Sequence, residues 1–156
     1  MKKMNKKKTS VINKIFIAIC LIFFIISLTQ NTYFVGEEKI DSVGSNGLIA
    51  LLFGWMFMFD LKVIPWLANP LILISLICIL KNRIKRAKIF GLIALLCGLS
   101  FLLFDNIIVN EGGTEKPITG YDIGYFLWIM SLSTNFLGIM ISDYLNPNNC
   151  NENNIV

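Results

Sequence analysis

Four long, predominantly apolar stretches of this chain carry no charged side chain: residues 15–36, 63–80, 89–104 and 123–142. About 20 helical residues cover the roughly 30 Å hydrocarbon core of a bilayer, so each stretch is long enough, or nearly so, to cross one. Eleven of the fourteen basic residues lie in two clusters that abut such stretches. Lys2, Lys3, Lys6, Lys7, Lys8 and Lys14 precede the first, while Lys81, Arg83, Lys85, Arg86 and Lys88 separate the second from the third. Segments flanking membrane spans on the cytoplasmic side carry an excess of Lys and Arg. The pattern therefore predicts an all-α membrane protein with both basic clusters on one side.

The expected layout is a basic cytoplasmic N-terminus (1–10), a single helical membrane domain (11–145) and a disordered, asparagine-rich polar tail (146–156). Spans are expected at about 11–30, 66–87, 88–105 and 123–143. The first span starts like a secretory signal but lacks spaced small residues for cleavage, so it is expected to remain. Glu37, Glu38 and Asp41 mark one external loop, and residues 105–122, broken by Gly112, Gly113 and Pro117, mark another. Residues 48–59 are apolar but too short: twelve residues reach about 18 Å. Counted as a span, they give five crossings and put the second basic cluster outside. Counted as a re-entrant or interfacial helix, they give four, with both clusters inside; charge bias favours four.

Composition narrows the function classes. Hydrophobic residues make up 55% and charged ones 15%, against about 25% charged in an ordinary soluble domain. The net charge of +4 resides in clusters beside apolar spans, which suits anionic lipid head groups rather than nucleic acid. There is no histidine, and Cys20, Cys78, Cys97 and Cys150 form no CxxC pair. Neither a zinc site nor a thiol-redox site is expected. No HExxH, GxSxG or P-loop sequence occurs, so no catalytic residue, metal ligand or cofactor is assigned, and the chain leans away from being an enzyme.

Several positions stand out. Asn69-Pro70 reads as a helix start, with asparagine as N-cap and proline in the first turn. With Pro65 and Trp66 it would form a break in the backbone, which membrane depth tolerates only when buried in protein or lining a wet cavity. Tyr121, Tyr125 and Trp128 recur at four and three, on one face of the last span. They form either an interfacial aromatic belt or a binding platform near the outer mouth, with Asp122 as the N-cap. Thr134, Gly138 and Ser142 make a ladder of small residues, as do the pairs Ala87/Gly91 and Ala94/Gly98. Such ladders let helices approach closely; alternatively, Asn135 among them is the likeliest contact for a small solute. Asp60 and Lys62 either pair at membrane depth or form an exposed turn.

The segments Trp66-Leu-Ala-Asn-Pro70 and Gly124-Tyr-Phe-Leu-Trp128-Ile-Met-Ser131 resemble those of small, uncharacterised bacterial inner-membrane proteins, over roughly residues 47–142. The resemblance implies a bacterial inner membrane and carries no activity. From the residues, the leading expectation is a non-enzymatic protein that binds another membrane protein or a membrane-targeted toxin, as immunity proteins do. A subunit of an oligomeric small-solute or ion pathway is the alternative. It requires Asn69 and Asn135 beside a shared cavity. The threading is checked by topology reporters: fusions near Lys7 and Arg86 should respond from the same side of the membrane, and one near Gly113 from the opposite side.

Overall fold

The computed structural model describes residues 6–36, 43–57, 61–108 and 114–145. Asp60, the acidic residues 37–41, Gly112-Gly113 and the 146–156 tail lie outside them. Five α-helices account for most of what is described: α1 Lys6–Leu28, α2 Gly47–Phe53, α3 Ala68–Leu80, α4 Ile84–Leu99 and α5 Ile123–Leu145. Short 3₁₀ turns extend α2 to Phe57, lead into α3 from Leu61, and extend α4 to Leu103. Four helical segments are thus long and apolar enough to cross a membrane: Thr9–Leu28, Leu61–Leu80, Ile84–Leu103 and Ile123–Leu145. The short apolar helix runs over Gly47–Met56.

Direction follows from contacts. A side chain added at Gly138 of α5 would meet Phe16 of α1, and one added at Gly124 would collide with Asn31 just beyond α1. The two helices are therefore antiparallel. Gly91 and Gly98 of α4 abut Asn135/Ile139 and Ile129/Leu132 of α5, so α4 also opposes α5. The Ser75 hydroxyl of α3 donates to the Ala87 carbonyl at 3.0 Å. The α3–α4 connection is a tight hairpin. Asn82 adopts φ 55°, a left-handed conformation that asparagine tolerates better than most residues. The Asn82 and Arg83 amides donate to Ile79 O (2.9 Å) and Cys78 O (2.8 Å), a Schellman closure of the helix end.

The start of α1, the α3–α4 turn and the end of α5 consequently share one end of the bundle, where the Lys88 ammonium meets the Asp143 carboxylate at 3.3 Å. Lys6, Lys7 and Lys8 at the start of α1 and the basic residues of the α3–α4 turn lie there. At the other end the expected loops are partly strands. Tyr33–Val35 (β1) and Asn106–Ile108 (β2) flank Glu115–Tyr121 (β3) in an antiparallel sheet of order β1-β3-β2. The sequence concealed this because the strands are short and interrupted by Gly120 and Pro117. Pro117 is tolerated because its missing N–H removes only one donor from a short ladder.

Small residues set the packing. Ala87, Gly91, Ala94 and Gly98 are all buried and, at spacings of four, three and four, form one stripe of α4 against α3 and α5. Facing them on α5 are Ile129, Leu132, Asn135 and Ile139, while buried Gly138 turns toward Phe16 of α1. Cys20 and Cys78 are buried within this core and free, filling space as small apolar groups. Gly138→Leu, which drives a side chain into Phe16, should cost about 1–3 kcal/mol. The loss should appear as a lower unfolding midpoint in detergent, whereas Leu137→Ala at an exposed neighbour should change it little.

Candidate functional site

The most distinctive feature lies at the sheet end, where α2 folds back over the bundle. Asn46 caps α2 by accepting from the Leu48 amide at 3.1 Å. The Gly47 amide donates to Gln30 O at 2.9 Å, so α2 starts where α1 stops. The segment after α2 comes back to the same end, for Lys62 forms an ion pair with Glu115 of β3. Both ends of this apolar stretch therefore lie beside the sheet. The face of α2 and its 3₁₀ extension away from the bundle is open: Leu48, Leu52, Trp55 and Met56 are each about half exposed (47–55%).

Trp66 holds α2 in place. Its indole N–H donates to Leu51 O at 2.8 Å, and its ring occupies the space that a side chain at Gly54 would fill. Beneath α2 a cavity of about 170 Å³ is walled by aromatic rings, among them Tyr33, Phe53, Trp66, Phe101, Tyr125 and Trp128. Phe101 sits at the centre of an aromatic cluster, its ring centroid 5.6 Å from Tyr33 and Tyr125 and 5.7 Å from Tyr121. Such separations fall in the range of favourable edge and tilted contacts. Tyr121 and Tyr125 are 5.0 Å apart. The Tyr121 hydroxyl donates to Phe101 O at 3.4 Å and that of Tyr125 to Gly98 O at 3.3 Å. Burial, reinforced by the nearby Asp105 carboxylate, raises the Tyr121 phenol above its ordinary range, so it remains a donor at physiological pH.

Of the positions singled out from sequence, Trp66, Asn69, Tyr125 and Trp128 meet at this cavity, and Tyr121 adjoins it. Tyr125 is 2% exposed, too deeply buried for a belt residue, so the belt reading fails for it. Asp122 does precede α5 as expected, its Oδ1 accepting from the Ile123 amide at 2.7 Å. The expected helix break at Asn69-Pro70 is absent. A 3₁₀ turn over Pro65–Leu67 runs directly into α3, and Pro70 is the third residue of that helix, where its missing N–H removes little bonding. Nor is Asn69 an N-cap. Leu67 holds that position, and the Asn69 Oδ1 instead accepts the Trp128 indole N–H at 3.0 Å. This bond ties α3 to α5.

Asn135 lies elsewhere. Buried in the bundle, it donates from Nδ2 to the Ser75 hydroxyl at 3.0 Å, while its Oδ1 has no hydrogen-bond partner among the described residues. Both asparagines lie at the α3–α5 contact but at different heights: Asn69 borders the aromatic cavity, and Asn135 borders a separate small void lined by Phe16 and Gly138. Lys62 faces Glu115 rather than membrane depth, and Asp60 is outside the described residues. Tyr33 and Phe101 went unnoticed in the sequence, as did the partner of Gly54. Phe101 lies within an uncharged run in which nothing distinguishes it, and the match between Gly54, read only as a small residue that permits packing, and Trp66 spans a chain reversal that periodicity does not encode.

Among the described residues, no three His, Cys, Asp or Glu side chains gather into a metal-binding group. No protein-family model, curated protein or solved structure matches the chain. The interhelical bond is testable by a double-mutant cycle of Asn69→Leu and Trp128→Phe. Unfolding in micelles should give a coupling of about 0.6 kcal/mol, the mean for such bonds in membrane proteins.

Proposed function

We propose that this chain is a four-span protein of a bacterial inner membrane that works by binding rather than by catalysis. Its N-terminus and both basic clusters face the cytoplasm and anionic head groups; the sheet and α2 face outward, with α2 lying at the outer interface as a short re-entrant element. The partner is another membrane protein or a membrane-targeted toxin, in the manner of an immunity protein. One observation carries this reading: α2 starts and finishes beside the sheet with Leu48, Leu52, Trp55 and Met56 exposed. A short apolar helix anchored by Trp66 and turned outward offers a partner aromatic and aliphatic anchors, the residue types that dominate binding energy at interfaces.

The charge layout supports the orientation, because basic residues concentrate at the end opposite the sheet. A solute pathway gains little support from Asn69 and Asn135, whose side chains bond across the α3–α5 contact at different heights and border different voids. The test is photo-crosslinking in native membranes from a reactive residue at position 52 or 55, with position 22 on the exposed face of α1 as reference. Discrete protein adducts from 52 and 55 but not from 22 are expected. Lipid adducts alone at all three positions would remove the partner reading. For the toxin version, deleting the gene should raise sensitivity to a toxin encoded beside it.

A further inference from the structure

We propose that the aromatic cavity beneath α2 binds a neutral, lipid-soluble molecule: a ring-sized apolar group bearing a hydrogen-bond acceptor, held by the Asn69 side-chain amide. The proposal is independent of the partner that meets the outer face of α2.

Size comes first. An apolar cavity of about 150 Å³ accommodates benzene, and this one is about 170 Å³. Its walls are mainly aromatic and aliphatic, and among the described residues no Asp, Glu, Lys or Arg lines it. An ionised guest would lose its hydration with no counter-charge to offset the loss, so the guest is uncharged.

The polar groups around the cavity then define what else the guest must carry. The Trp66 indole donates to Leu51 O, the Tyr125 hydroxyl to Gly98 O, the Thr32 hydroxyl to Ser45 O and the Ser27 hydroxyl to Phe24 O. Each is directed at the protein's own backbone. Asn69 differs. An indole N–H can only donate, so the bond from Trp128 fixes the carboxamide with Oδ1 toward Trp128 and Nδ2 directed away. That Nδ2 donor takes no acceptor among the described residues, although Asn69 lines the cavity and is only 9% exposed. Nδ2 is not sealed off from the cavity, and a donor in apolar surroundings that finds no acceptor is costly. A carbonyl or ether oxygen on the guest would satisfy it, whereas a pure hydrocarbon of the same shape would leave it unpaired.

Three probes of similar size separate these terms: acetophenone (ring plus carbonyl), isopropylbenzene (the same outline without an acceptor) and benzoate (the ring with a charge). Each is titrated against the full-length protein in detergent, following the thermal unfolding midpoint, with concentrations corrected for partition into micelles. Acetophenone should give a saturable rise and bind about three- to tenfold more tightly than isopropylbenzene, the worth of one net hydrogen bond. Benzoate should give none. In Asn69→Leu that preference should vanish, and in Ala50→Phe, which fills the cavity, neither neutral probe should bind. Equal binding of acetophenone and isopropylbenzene to the native protein would overturn the role of Asn69. Binding of benzoate, an undiminished response in a folded Ala50→Phe variant, or no saturable response to either neutral probe would overturn the site. The native-protein comparison does not depend on either variant folding.

Discussion

Close approach between helix backbones is what the architecture depends on. In a hydrocarbon solvent, apolar side chains gain little by leaving lipid for protein, so helices associate through van der Waals fit and interhelical hydrogen bonds. The stripe Ala87, Gly91, Ala94 and Gly98 supplies that fit on α4, and Gly138 supplies it on α5. Between them run a few polar links: Asn135 to Ser75, Ser75 to Ala87 O, and Trp128 to Asn69. These links join α3, α4 and α5 laterally, and α1 is held to α5 mainly by shape, Phe16 against Gly138.

The two ends of the bundle are built differently. One is electrostatic, with Lys88 paired to Asp143 among the arginines and lysines of the α3–α4 turn. The other is held by backbone bonds: Asp122 N to Thr32 O, Gly124 N to Asn31 O and Thr32 N to Ser45 O join the start of α5, the end of α1 and the approach to α2. The first amides of α5 are thereby partly satisfied by the neighbouring chain, which fixes the height of Tyr125 and Trp128 relative to α1. The aromatic cavity lies under this tied end, so its walls are set by the bonds that close the bundle.

How far the sequence alone carried depended on the kind of interaction. Long uncharged runs and lysine clusters are properties of contiguous segments, and the four long helices, the short apolar helix and the buried small-residue ladders were legible from them. The sheet was not, because β1 and β2 have three residues each and pair with a strand broken by Pro117 and Gly120. Asn69 is the instructive error. Asparagine before proline is a sound N-cap signal, yet the indole of Trp128, 59 residues away, claims its side chain. The residues around the cavity were partly visible as a Trp–Tyr pattern at helical spacing. Their gathering with Tyr33, Phe53 and Phe101 is a matter of tertiary placement, on which local spacing is silent.

The Lys81–Arg83 connection has a consequence for biogenesis. With Asn82 in a left-handed conformation and the end of α3 closed by the Cys78 and Ile79 carbonyls, no slack remains between α3 and α4. Helices joined this tightly enter a bilayer as a pair: if one traverses, the other must return. A hairpin of that kind preserves the parity of the two passages, so whichever way α3 points, α4 returns the chain to the side from which α3 set out.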